Sequence, residues 1–151
     1  MPDQSEKTAG GKASSPPPQA RVNVTWRGEQ RFEFGRAGRP WATLDGAGHA
    51  GPSPFDALLG AMASCSAIDV VSILEKRRTP PRSLDVEVIG TRFDGTPRRL
   101  MAAELHFRIS GEGIEREHAE RAIELAITKY CSVEASLDPK IPVTWTLELG
   151  D

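Results

Sequence analysis

Short runs of alternating apolar and polar residues open the folded part of the chain. The apolar members of the first two runs are Val22, Val24, Trp26, Phe32 and Phe34, separated by the turn sequence RGEQ. This alternation is typical of half-buried strands. A third run covers residues 41–44 and is bounded by glycine- and proline-containing turns. The pattern therefore predicts three short strands near the start of the fold.

A long apolar segment follows, and its first residues carry the signals of a helix start. Ser53 suits the N-cap, Pro54 suits the first helical position, and Asp56 can reach back to the cap amide. The predicted helix, Phe55–Arg77, is apolar on almost every side, which is typical of a central helix buried on all faces. One small sheet covers only one side, so the pattern predicts an obligate homodimer with Cys65 near its middle.

The second half of the chain predicts two strands, a helix and a last strand. Alternation over 84–88 and 101–109 indicates a hairpin, and helical spacing from Ile114 to Tyr130 indicates an amphipathic helix. A short helical turn is predicted at 133–137 and a strand at 143–149. This order predicts an α+β fold, with an antiparallel sheet and helices on one side of it.

Length and composition favour one domain in a chain of 151 residues. Residues 1–19 are rich in Pro, Gly, Ser, Lys and Gln and predict a disordered tail, which leaves 20–151 as the domain. A net charge of −2 with scattered basic residues argues against a nucleic acid or an anionic membrane as partner. The N-terminus lacks signal-peptide order, and carboxylates interrupt the apolar helix. We therefore expect a soluble, cytoplasmic protein.

The two cysteines are the strongest candidates for chemistry. Cys65 lies in the long apolar helix, and Cys131 lies at the end of the amphipathic helix. If the sulfurs meet, one can be oxidised to a sulfenic acid and the other can resolve it to a disulfide, with no cofactor. In the cytoplasm such a disulfide is transient. The alternative is that both thiols are small buried apolar groups without reactivity.

A reactive thiol needs a cation, a helix N-terminus or hydrogen-bond donors to stabilise its thiolate. Cys65 is about three turns from Ser53, too deep in the helix for the dipole to help. Asp69 lies one turn further on the same face and disfavours a thiolate. We therefore expect activation from the N-terminal strands, either by a hydrogen-bond network or by an arginine. The candidates are Arg27, Arg31, Arg36 and Arg39.

The remaining polar residues offer weaker candidates. The histidines His49, His106 and His118 show no ligand-like spacing, so we predict no metal site. A zinc site built from Cys65, Cys131 and a histidine is the weaker alternative. Asp56 fits a catalytic carboxylate as well as a helix cap.

Two segments resemble the OsmC/Ohr family of thiol-dependent hydroperoxide reductases. PSPFDALLGAMASCSAIDVVSILEK is similar to the family's central helix with its first cysteine, and ITKYCSVEASL is similar to its second cysteine segment. The run CSAIDVVSIL is most similar to the YhfA-type branch, and the resemblance covers residues 20–150. It implies an OsmC-like fold and an intertwined homodimer with active sites at the subunit interface.

The resemblance also implies a reaction for oxidative stress defence. Cys65 would be the peroxidatic thiolate that attacks an organic or fatty-acid hydroperoxide in a non-polar pocket, and Cys131 would be the resolving thiol. An external dithiol would reduce the disulfide. The alternative is a redox-sensing or small-molecule-binding dimer without efficient turnover. Phe55 stands where OsmC and Ohr carry a glutamate, ten residues before the first cysteine. The family's activating arginine has no clear match either.

Overall fold

The computed structural model describes residues 15–151, and it shows six strands and three helices within that range. The strands are Asn23–Trp26 (β1), Arg31–Gly35 (β2), Ala42–Asp45 (β3), Ser83–Arg92 (β4), Leu100–Ser110 (β5) and Val143–Gly150 (β6). The helices are Pro54–Lys76 (α1), Arg116–Leu125 (α2) and Ser132–Ala135 (α3), with a π-helical turn, Ala126–Tyr130, between α2 and α3. Of the predicted tail 1–19, residues 1–14 lie outside the described residues. Residues 15–19 are exposed and lack regular secondary structure.

The core forms where α1 and α2 pack against one face of the β4–β5–β6 sheet. The register aligns Val86, Phe107 and Leu147 across the three strands. Because side chains alternate between the two faces of a strand, this register collects one apolar face. Its most deeply buried members are Ala103, Leu105, Phe107 and Ile109. The α+β class predicted from the sequence is confirmed.

The strand directions differ from the single antiparallel sheet that the sequence predicts. β1, β2 and β3 form one antiparallel sheet, and β4, β5 and β6 form a second. In the second sheet β4 and β5 are antiparallel, as the hairpin prediction requires, but β6 runs parallel to β5. The physical reason is the crossover: α2 and the turns after it return the chain to the end of the sheet where β5 began.

Helix α1 begins and ends close to the predicted residues, but one chain buries only one side of it. Its fully buried residues are Met62, Ser66, Val70 and Leu74, spaced four apart. Ile68, in the middle of the helix, is 66% exposed. By length and composition α1 could cross a membrane, but in this fold it packs against β4 and α2. It is therefore a core helix with one uncovered face.

The β1–β2–β3 sheet also presents uncovered apolar residues. Its register pairs Trp26 with Phe32 and Phe34 with Ala42, and its contact with the rest of the chain is made by β3 against α1. The exposed large apolar side chains on and around this sheet are Val22, Val24, Trp26, Phe32 and Trp41. Half of the ten large apolar side chains that are exposed among the described residues therefore lie on or around this sheet.

The packing of Phe107 gives a test of the core. We expect Phe107→Ala to lower the free energy of unfolding by about 3–5 kcal/mol, because it leaves a cavity between the sheet and the helices. Urea unfolding at fixed protein concentration measures the loss. Arg108→Ala, next to it on the opposite face of β5, is the control and should change stability by less than about 0.5 kcal/mol. Equal losses for the two variants would contradict the assignment of the core face.

Candidate active site

Helix α1 is fixed at its start by a reciprocal cap. The Asp56 main-chain N–H donates to the Ser53 hydroxyl at 3.1 Å, and the Ser53 N–H donates to the Asp56 carboxylate at 2.9 Å. The hydrogen bonds from Ser53 lower the pKa of Asp56. The structure therefore gives Asp56 the capping role. Cys65 immediately precedes the buried Ser66, so its side chain lies where the buried and uncovered faces of α1 meet.

Cys131 is placed by the π-helical turn after α2. Its main-chain N–H donates to the carbonyl of Ala126, five residues earlier, at 2.8 Å. Cys131 is also the N-cap of α3, and its sulfur accepts a hydrogen bond from the N–H of Glu134 at 3.4 Å. Only 3% of Cys131 is exposed. The thiol is therefore held inside the fold by main-chain contacts on both sides.

The two cysteines meet where α3 packs against α1. The Cys65 Sγ lies 4.0 Å from the Ser132 Oγ, and the Cys131 side chain is close enough to lower the pKa of Cys65. Both thiols are free. The structure therefore places both cysteines at one junction, which the disulfide hypothesis requires.

The surroundings of Cys65 favour its thiolate. Burial raises the pKa of Cys65, but hydrogen bonds from the main-chain N–H groups of Val133 and Ser132 lower it. The side chains of Cys131 and Ser132 lower it further, and the net shift of the pKa is downward. Donors that point at a sulfur stabilise the charged form. Cys65 is thus the better nucleophile of the two thiols.

Cys131 has the opposite character. Burial and the neighbouring Cys65 raise the pKa of Cys131, although the Glu134 N–H and the Ser66 hydroxyl partly oppose this. A buried thiol without a stabilised thiolate stays protonated and is a poor first nucleophile. The pair therefore contains one activated thiol and one protonated thiol.

Glu134 is a further titratable group at the same junction. Burial raises the pKa of Glu134 to about 7, and the Ser66 hydroxyl opposes the shift. Among the described residues, its Oε1 is buried without a hydrogen-bond partner. An unpaired buried carboxylate is costly, so the protonated form is favoured up to neutral pH.

The four arginine candidates do not activate Cys65 within one chain. Arg27 pairs with Glu33 at 2.7 Å and Arg31 with Glu29 at 3.7 Å, both inside the first sheet. In the part of the chain that the structure describes, no cation contributes to the pKa shift of Cys65. The activating contacts are neutral donors from Cys131 and the start of α3. Activation from the N-terminal strands, as predicted, is therefore not what one chain shows: the hydrogen-bond donors at Cys65 come from Cys131 and the start of α3.

Phe55, which stands where OsmC and Ohr carry a glutamate, contacts an arginine through its ring. The guanidinium carbon of Arg92 lies 3.8 Å from the centre of the Phe55 ring, a cation–π contact. An arginine from β4 therefore covers this position at the start of α1.

The histidines lie apart from the cysteines. His106 contacts Thr146 at 2.7 Å on the outer face of the sheet, and His118 faces Glu115 at 3.5 Å. Within residues 15–151, no group of three His, Cys, Asp or Glu side chains is arranged to hold a metal ion.

A groove of about 430 Å³ runs between α1 and α2. Ile73, Leu125 and Tyr130 supply apolar walls, and Lys76 and Arg121 supply positive charge. Asp69, one turn from Cys65, lines this groove as well. Neither cysteine lines it, so the non-polar pocket expected around Cys65 is not this groove.

Sequence reasoning missed three residues of the site: Ser66, Ser132 and Glu134. A signal was present in the run CSVE, because a polar N-cap followed by an acidic residue three positions later is the pattern of a capping box. Here a cysteine occupies the cap, which hides the pattern. Ser66 carried no comparable signal.

Comparisons with known proteins agree on one family. The family model described as "OsmC-like protein" matches residues 46–146. The protein YhfA of Escherichia coli K12 is 36% identical over 107 residues, which cover 70% of this chain and 80% of YhfA.

Solved structures share the fold. A hypothetical protein from Aquifex aeolicus superposes with a TM-score of 0.74 at 26% identity, over 87% of this chain and 97% of that one. The organic hydroperoxide resistance protein OhrB of Bacillus subtilis superposes with a TM-score of 0.58 at 14% identity, over 86% and 98%. The second similarity shows the fold alone.

The unequal thiols can be told apart by alkylation. Since the pKa of Cys65 is lowered and that of Cys131 is raised, iodoacetamide should modify Cys65 first at neutral pH. Peptide mass spectrometry over a series of pH values measures each rate.

Ser132→Ala removes one hydrogen-bond donor from the Cys65 sulfur, so the pH midpoint for alkylation of Cys65 should rise. Ser136→Ala, one turn along, is the control. Faster modification of Cys131, or an unchanged midpoint in Ser132→Ala, would contradict the assignment.

Proposed function

Because this chain belongs to the OsmC-like protein family, we propose that it reduces organic hydroperoxides through Cys65 and Cys131 without a bound cofactor. The observation that supports this most is the pairing of an activated thiol with a buried, protonated one. Peroxide reduction by cysteine needs these two states, one to attack and one to resolve. The cycle requires a reducing compartment, so we propose the cytoplasm as its location.

The reaction begins with the Cys65 thiolate. Its sulfur attacks one oxygen of the hydroperoxide, the O–O bond breaks, and the departing alkoxide takes a proton to become an alcohol. Cys65 is then a sulfenic acid. The Ser132 hydroxyl and the two main-chain N–H groups stabilise the thiolate before the attack.

The second step forms the disulfide. Cys131 attacks the Cys65 sulfur, its proton and the hydroxyl of the sulfenic acid leave together as water, and the S–S bond closes. An external dithiol then reduces the disulfide by thiol–disulfide exchange and returns both thiols. The proposed substrate is an organic or fatty-acid hydroperoxide.

We further propose that the working form is a homodimer. Ile68 lies on the uncovered face of α1, three residues after Cys65. This face therefore adjoins the junction where the two cysteines lie. The first sheet adds five exposed apolar side chains that the rest of the chain leaves open. A second copy supplies matching apolar surface and covers both, which also removes water from around Cys65.

The absence of a cation at Cys65 among the described residues favours one alternative function. Neutral donors lower a thiol pKa less than a guanidinium does, and this suits a slow redox sensor or a small-molecule-binding dimer better than a fast peroxidase. The reaction rate with hydroperoxide separates the two.

Mass spectrometry after a stoichiometric pulse of cumene hydroperoxide tests the peroxidase. We expect rapid loss of both thiols and a linked Cys65–Cys131 peptide, with slower reaction towards hydrogen peroxide. Cys131→Ser should stop at a sulfenic acid on Cys65, and Cys65→Ser should not react. Ser136→Ala, outside the pair, is the control. If both thiols of the unaltered protein survive for minutes, the peroxidase proposal fails and the sensor or binding alternative takes its place.

The dimer is tested by its mass in solution. Light scattering should give twice the chain mass of 16.4 kDa. Ile68→Lys places a charge on the uncovered face of α1 and should shift the mass to that of one chain. Thr144→Lys, on the polar face of β6, adds the same charge elsewhere and should leave the dimer intact. A monomeric unaltered protein would refute the proposal.

A further inference from the structure

The proposed reaction leaves one step without an assigned group, the removal of the proton from Cys131. The sulfur attacks as a thiolate, yet burial and the neighbouring Cys65 keep Cys131 protonated. Cys131 is also closed to water, since 3% of it is exposed. A proton acceptor inside the fold is therefore needed.

Glu134 occupies the place where such an acceptor has to be. It follows Cys131 by one turn of α3, and its main-chain N–H already contacts the Cys131 sulfur at 3.4 Å. Its Oε1 is buried and accepts no hydrogen bond from any described residue. A buried carboxylate oxygen with free lone pairs can receive a proton.

Ser66 connects the two groups. It is fully buried on α1, next to Cys65, and its hydroxyl is close enough to both groups to lower the pKa of Cys131 and that of Glu134. In the resting arrangement this hydroxyl donates to the Met62 carbonyl at 3.0 Å. Turning the hydrogen towards Glu134 frees the oxygen to accept from Cys131, because a hydroxyl both donates and accepts.

We propose that Glu134 takes the proton of Cys131 through Ser66 when the disulfide forms. The inference rests on the proposed use of the two cysteines. The Cys131 S–H bond breaks, Ser66 accepts that proton while passing its own to Glu134, and the carboxylate becomes a carboxylic acid. In the peroxide cycle that proton then leaves with the hydroxyl of the sulfenic acid as water.

The electrostatics of the junction suit this transfer. A proton acceptor works best when its pKa lies near the operating pH, and burial places the pKa of Glu134 at about 7. Besides burial, the Ser66 hydroxyl is the group that shifts the pKa of Glu134. In the described chain no Lys, Arg or His side chain forms an ion pair with Glu134. Asp69, also on α1, lines the groove towards α2 instead.

An aromatic disulfide tests the transfer without any hydroperoxide. Dithionitrobenzoate reacts first with Cys65 and releases one thionitrobenzoate. Cys131 then attacks the mixed disulfide on Cys65 and releases the second thionitrobenzoate. The proton of the Cys131 thiol passes to Glu134 in this step. We expect the second phase to accelerate as the pH rises through about 7. Glu134→Gln should slow it about a hundredfold and remove that rise, with the first phase unchanged.

Three further variants sharpen the result. Ser66→Ala should give the same loss as Glu134→Gln, and Glu134→Asp should restore part of the rate. Glu148→Gln, on the polar face of β6, is the matched control and should behave as the unaltered protein. A second phase with the original rate and pH profile in Glu134→Gln would overturn the proposal.

The pH dependence of stability gives a second readout that needs no reactive thiol. The pKa of Glu134 is higher in the folded chain, about 7, than its usual 4.5. Its stabilising contribution is therefore complete below about pH 4.5 and is lost as the pH rises through 7. Glu134→Gln should flatten this part of the urea-unfolding curve against pH, and Glu148→Gln should not. An unchanged slope would show that Glu134 does not titrate there.

These readouts separate the two proposals. If the second phase depends on Glu134 but the protein does not react with cumene hydroperoxide, the peroxidase proposal is refuted and the proton transfer is retained. If the protein reduces cumene hydroperoxide rapidly but the Glu134 and Ser66 variants do not change the second phase, the proton transfer is refuted and the peroxidase proposal is retained.

Discussion

The packing of one row of α1 against the β4–β5–β6 sheet determines the rest of the structure. Met62, Val70 and Leu74 hold this row in the core, and Ser66 lies in it as the one polar member. Because successive residues of a helix are about 100° apart, Cys65 lies at the edge of the row. The N–H groups at the start of α3 contact Cys65 at this edge. The position of the Cys65 sulfur is therefore a consequence of core packing.

Among the described residues, several neutral hydrogen-bond donors, and no cation, lower the pKa of Cys65. Main-chain N–H groups of Ser132 and Val133 cost nothing to orient, since α3 fixes them, and they act in a site that is partly withdrawn from water. A guanidinium has to be held in place by a partner of its own. Here Arg27 is already paired within the first sheet, and Arg92 covers Phe55. The donors at Cys65 act without either arginine.

Much of this could be predicted from the sequence, and the failures have physical causes. The cap at Ser53, the extent of α1 and the alternating strands were readable because each depends on neighbours close in the chain. The direction of β6 was not, because a strand's alternation is the same in parallel and antiparallel pairs. The role of Glu134 was hidden for a related reason: its burial against Ser66 joins positions 68 residues apart, and no local pattern records that contact.

The π-helical turn between α2 and α3 also constrains how this protein can evolve. Five residues close one hydrogen-bonded turn there, from Ala126 to Cys131, instead of four. Deleting a single codon within 127–130 would close the same Ala126–Cys131 hydrogen bond over four residues, as in an ordinary helix, so Cys131 would keep its place beside Cys65. Inserting a further codon there would instead rotate α3 by about 100° about the helix axis and separate the two thiols. In descendants of this gene the turn can therefore lose one residue with the thiol pair retained, whereas one more residue breaks the pair while both cysteine codons remain.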